Sequence, residues 1–76
     1  MNSSVFIVVP AFNERNMILS TLQPLIKLNY TVIVMDDGSS DSTWSILTNL
    51  PVYALRHAVN LGQGAALQTG MMFALR

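Results

Sequence analysis

Two short apolar runs, Val5-Phe6-Ile7-Val8-Val9 and Thr31-Val32-Ile33-Val34-Met35, constrain this chain more than any other feature. Neither alternates apolar with polar residues, so each reads as a strand buried on both faces, the situation of a parallel sheet covered by helices. Pro10 closes the first run. Asn13 is placed to cap a following helix, Glu14 suits the positive end of its dipole, and Ile18, Leu22, Leu25 and Ile26 recur at helical spacing. Pro24 removes one helical hydrogen bond and predicts a kink, or a break near Leu22-Gln23. After the second run, Ser39, Ser40 and Asp41 offer capping oxygens to a short helix carrying Trp44 and Leu47, which ends before Pro51. Val52-Tyr53-Ala54-Leu55 makes a weaker third strand, and Asn60-Leu61-Gly62-Gln63-Gly64 turns into a last helix with Leu67, Met71 and Ala74 expected on one face. The pattern is βαβαβα, an α/β unit with a parallel sheet and right-handed crossovers.

Composition narrows the function classes. Half of the 76 residues are apolar and only 11% are charged, which excludes a disordered tail and leaves apolar surface for a partner. The sequence reaches Arg76 inside a stretch that still reads as helix, so we expect the first part of a larger domain. Four basic residues balance four acidic ones, and with no basic patch to grip phosphates, nucleic acid is not an expected partner. The absence of cysteine excludes a disulfide framework or a thiolate metal site and fits a reducing compartment, the cytosol. Met1-Asn2-Ser3-Ser4 lacks the positive charge of a signal peptide, and no apolar stretch reaches the ~18 residues of a spanning helix.

Three of the four acids, Asp36, Asp37 and Asp41, cluster directly behind the second apolar run. Parallel α/β sheets place their ligands past the carboxyl ends of the strands, so this is the candidate site. Such carboxylates bind a metal, accept protons, receive a ligand's N–H donors, or simply cap a turn. A calcium loop is excluded, because acids on alternate positions and a distant bidentate Glu are missing. Pro10-Ala11-Phe12-Asn13-Glu14 ends the first strand and lies beside the aspartates if the two strands are neighbours. Phe12 then reads either as a stacking face for a flat ligand or as a core aromatic. Gly62-Gln63-Gly64 opens a helix whose N–H groups suit a phosphate, while Ala65, Ala66 and Gly70 equally suit close packing of that helix on the sheet. Arg56 and His57 read as surface residues, and no nucleophile paired with a base stands out.

Taken together, VVPAFNE (8–14), VIVMDDGSSDST (32–43) and NLGQGAALQTGM (60–71) resemble the opening of the family 2 glycosyltransferases. Polyprenyl-phosphate sugar transferases are among the similar members. The resemblance implies a Rossmann-like, three-layer α/β unit forming the first half of a GT-A fold, with residues 1–76 as the amino-terminal nucleotide-binding part of a single domain. It implies that Pro10, Phe12 and Glu14 line the nucleotide site with the ring against the base, Phe12 standing where the family usually has Tyr. Asp37 is implied to accept a hydrogen bond from the base, with Asp36 more structural. Asn60, Gly62 and Gly64 match the family's N-x-G-K-G segment, and Gln63 replaces its usual Lys. The implied reaction is inverting transfer of a sugar from a nucleotide-diphosphate donor to an acceptor such as a polyprenyl phosphate or a polysaccharide, at the cytoplasmic face of a membrane. A divalent metal, Mg or Mn, is implied for the complete enzyme, its ligands and the catalytic base lying outside this chain. Two rivals remain: a receiver-like signalling domain with an acidic metal pocket, and a non-catalytic structural remnant. On its own the chain is expected to self-associate and to be inactive.

Overall fold

The computed structural model describes residues 2–75. Its elements follow in the order β1 (Asn2–Ala11), α1 (Ile18–Lys27), β2 (Tyr30–Asp36), α2 (Thr43–Leu47), β3 (Tyr53–Arg56) and α3 (Gln63–Ala74). The three strands form one parallel sheet in the order β1-β2-β3. Val9 pairs with Val34 and Ala11 with Asp36, while Asp36 in turn pairs with Arg56. The residues just beyond the strand ends therefore stand at one height.

Burial explains why the apolar runs do not alternate. Val32, Ile33, Val34 and Met35 are all buried. On one face Val32 and Val34 join Ile18 and Leu22 of α1, Leu47 of α2 and Ala11 in the core. The other face takes α3, which packs on β1 and β2. Helices thus cover both faces, giving the expected three layers. Because α3 leaves β3 yet packs back on β1 and β2, the chain changes faces there, and an open α/β sheet forms its ligand crevice at such a reversal.

Two local expectations are corrected and a third is narrowed: of the kink or break expected at Pro24, the break does not occur, and helix α1 runs continuously from Ile18 to Lys27. Ile18 and Leu22 before the proline and Leu25 and Ile26 after it are all held against the sheet, and the exposed Ser20 carbonyl loses its helical partner on the solvent side. Asn13 does not cap α1, whose first residue is Ile18, preceded by a cap position at Met17 without a side-chain bond. On α3 the buried residues are Ala66 and Gly70, not Met71, which is 56% exposed. A Cβ on Gly70 would collide with Val8 Cγ1, so the helix seats its smallest residues to approach the sheet.

Candidate functional site

The site is built from three loops at the carboxyl ends of β1, β2 and β3, tied together by hydrogen bonds between residues far apart in sequence. Asn13, in the left-handed region at φ 50°, turns its side chain away from α1. Its Oδ1 accepts from the Ser40 N–H at 2.8 Å and the Asp41 N–H at 3.3 Å. In return the Asn13 N–H donates to Ser39 Oγ at 2.9 Å and the Glu14 N–H to Thr43 Oγ1 at 3.0 Å. Asp41 holds the start of α2, accepting from the Thr43 N–H at 2.8 Å and from the Thr43 hydroxyl.

The two adjacent aspartates have different surroundings. Asp36, the last residue of β2, is fully buried, and its Oδ1 accepts from the N–H and hydroxyl of Ser39. Its Oδ2, buried without a hydrogen bond, faces Arg56 Nε at 3.5 Å. Arg56 also donates from Nη2 to the Ser39 carbonyl at 3.0 Å and lays its guanidinium over the Trp44 ring. This is a structural assembly that shapes the loop from below. Asp37 reaches across to the third loop instead. Its Oδ1 accepts from the Leu61 N–H at 2.9 Å and its Oδ2 from the Gly62 N–H at 2.7 Å, so the carboxylate closes the turn that leads into α3. His57 Nδ1 lies 2.9 Å from the same Oδ1, and His57 Nε2 lies 3.0 Å from Thr69 Oγ1 on α3.

These donors hold the Asp37 carboxyl below its ordinary value of 3.8, the Leu61 N–H contributing most, then the His57 side chain, with burial opposing. Asp41 is lowered too, first by the Thr43 hydroxyl. A carboxyl whose folded pKa is depressed stabilises the fold above its unfolded value, and that contribution is lost as pH falls through the folded pKa. Thermal melts at pH 6 and pH 3 are therefore expected to show a fall in Tm on acidification. Asp37→Asn should remove part of that fall, and an unchanged pH dependence in the variant would contradict the assignment.

An open cavity of about 340 Å³ sits above this network. Pro10, Phe12 and Glu14 come to it from the first loop, Asp37 from the second, and Asn60, Gly62 and Gln63 from the third, with Ala66 of α3 at its base. Phe12 is 42% exposed, which disposes of the core reading of that ring. Seven of the nine residues singled out in the sequence thus meet at one cavity. The exceptions are Asp36, which lies beneath it, and Gly64, which faces outward on α3 with open space where a Cβ would stand. Arg56 is exposed as expected, with 42% of its side chain accessible, although its guanidinium turns toward Asp36; the surface reading of His57 is corrected, since only 14% of its side chain is accessible and it faces Asp37. A signal for them existed. Arg56-His57 ends its apolar run as Asp36-Asp37 ends its own, and parallel register puts the two pairs side by side.

The three aspartates do not fit a divalent metal. Asp37 and Asp41 are occupied by N–H and hydroxyl donors, Asp36 faces an arginine, and among the described residues no group of three His, Cys, Asp or Glu side chains is suited to hold an ion. What the cavity offers is an exposed aromatic ring, an ionised carboxylate with acceptor capacity left on Oδ2, and the amino end of a 12-residue helix. Such a set suits a flat, N–H-bearing ring linked to a phosphate.

The family model of the glycosyl transferase family 2 matches residues 6–75. The chain belongs to that family. It is 49% identical over 72 residues to an uncharacterised protein of Methanocaldococcus jannaschii, a match covering 93% of this chain and 30% of that protein. It is 32% identical over 85 residues to the UDP-N-acetylglucosamine–dolichyl-phosphate N-acetylglucosaminyltransferase of Methanococcus voltae, covering 88% of this chain and 34% of the relative. A dolichyl-phosphate beta-glucosyltransferase of Trichomonas vaginalis is 33% identical over 84 residues, with 86% and 24% covered. The chain spans between about a quarter and a third of the length of the curated relatives it matches. No solved structure matches it. The parallel, three-layer sheet agrees with the first half of the family's Rossmann-like GT-A fold, and among the described residues no helix is long and apolar enough to cross a membrane.

Proposed function

We propose that this chain is the nucleotide-binding part of an inverting glycosyltransferase that takes a sugar from a nucleotide-diphosphate donor and delivers it to a polyprenyl phosphate at the cytoplasmic face of a membrane. The observation that carries the reading is the convergence of Phe12 and Asp37 on one cavity at the amino end of α3. In this reading the base lies on the Phe12 ring and gives an N–H to the free lone pair of Asp37 Oδ2. The diphosphate lies toward Gly62 and Gln63, where the first N–H groups of α3 point outward and the helix dipole favours negative charge. Gln63, in the family's usual Lys position, supplies a neutral contact there. The names of two relatives, which specify dolichyl phosphate, support the acceptor. A phosphate acceptor is already ionised, so its oxygen attacks the anomeric carbon, the bond to the diphosphate breaks, and the configuration inverts without a base having to remove a proton. In this reading the ligands for Mg or Mn lie outside residues 1–76, since the three aspartates here do not fit the ion. The receiver-like alternative loses its support for the same reason.

Calorimetric titration of UDP, GDP and their sugars into the protein tests this directly. One nucleotide class should bind; failure of every nucleotide to bind would sink the reading. Phe12→Ala should weaken binding on the order of tenfold, the value of a lost base-aromatic stack. Phe12→Tyr should change neither binding nor melting temperature appreciably, because the ring is open to solvent at its rim.

A further inference from the structure

The geometry points to His57 as a positioning residue that orients the Asp37 carboxylate toward the nucleotide base, using Thr69 on α3 as its anchor. The inference rests on the nucleotide reading above and adds a residue that the sequence motifs do not include. An ionised Asp37 only accepts hydrogen bonds, so the 2.9 Å contact to His57 Nδ1 requires the proton on Nδ1. In the neutral ring Nε2 is then an acceptor, and the Thr69 hydroxyl, 3.0 Å away, donates to it. If the ring gains a proton, the same hydroxyl turns and accepts. The ring is held at both ends in either state, and most of its side chain is shielded from water. Asp37 Oδ1 consequently carries two donors, His57 and the Leu61 N–H, while Oδ2 carries the Gly62 N–H. This leaves the remaining acceptor capacity on Oδ2, and a carboxylate clamped through Oδ1 cannot rotate to lose it.

Two variants separate positioning from packing. Asparagine places its amide nitrogen close to where Nδ1 stands and can still donate to Asp37, whereas glutamine reaches toward Thr69 and abandons Asp37. His57→Asn should bind the preferred nucleotide, UDP or GDP, within about threefold of the natural protein, and His57→Gln should lose on the order of tenfold although it is nearer in size. Long-range ¹H–¹⁵N correlation on the unaltered protein gives a second readout, independent of any ligand: His57 should carry its proton on Nδ1, with Nε2 bare in the neutral ring. Equal affinities for the two variants, or a neutral ring protonated at Nε2, would overturn the inference while leaving the nucleotide reading intact. If the unaltered protein binds neither UDP nor GDP, the nucleotide reading falls and takes this inference with it.

Discussion

Gly38→Ala is expected to lower stability by about 2 to 4 kcal/mol, combining left-handed backbone strain with overpacking. Gly38 has φ +76°, and a Cβ there would stand 2.6 Å from the Val59 carbonyl carbon and 2.7 Å from the Asn60 nitrogen. Both obstacles are main chain and cannot swing aside as a side-chain tip does. The loop bearing Asp37 would have to separate from the loop bearing Asn60, which pulls against the bonds from Asp37 to Leu61 and Gly62. The same substitution at Gly62 is a built-in comparison. Its φ of +97° and ψ of 157° fall where essentially only glycine sits, but a Cβ would meet open space, so only the backbone strain of roughly 1 to 3 kcal/mol applies. Urea unfolding of the two variants measures the difference, and a Gly38→Ala protein within about 0.5 kcal/mol of its parent would show that the two loops do not touch as described.

Leu22→Ala is expected to cost about 2 to 5 kcal/mol through lost burial and an unfilled cavity. Leu22 is completely buried on the face of the sheet it shares with Ile18, Leu47, Val32 and Val34, and Ala11, which lines the ligand cavity, belongs to the same cluster. A chain of this size has a total stability of only about 4 to 11 kcal/mol at 0.05 to 0.15 per residue, so one truncation removes a large share of it. The midpoint of thermal unfolding should drop by roughly 8 to 40 °C, at about 4 to 8 °C per kcal/mol. Leu28, 63% exposed, gives the contrast: Leu28→Ala should change the midpoint little. Comparable losses at both positions would contradict the burial pattern.

The layers of the fold were legible because burial on both sides writes itself into the strands as runs without alternation, seen in Val32 to Met35. The carboxyl end of β2 was legible as a site because a parallel sheet leaves its ligand groups there. Tertiary bonds were not legible. Asn13 has the chemistry of a helix cap, and only the folded position of Ser40 and Asp41 diverts its carbonyl to the second loop. The buried seam of α3 was misread because helical period alone does not say which stripe meets the sheet, and here the smallest residues, Ala66 and Gly70, win over larger ones since they allow contact with Val8. His57 escaped notice because a single histidine after a weak strand carries no motif; its role comes from Asp37 and Thr69, 20 and 12 residues away.

The bonds that run from Asn13 to Ser40 and from Asp37 to Gly62 also divide the molecule into an end that cannot change length and an end that can. An extra residue between Ala11 and Ile18, or between Asp36 and Thr43, would push apart groups that meet at hydrogen-bond distance. The connections at the opposite end of the sheet, Leu28-Asn29 and the turn from Thr48 to Val52, are closed by short bonds to their own neighbours, such as Asn29 N–H to the Ile26 carbonyl and Leu50 N–H to the Leu47 carbonyl. Added segments there cost little more than their own loop entropy. That end is where a protein built on this unit has room to grow an insertion or accept a graft while the cavity stays as it is.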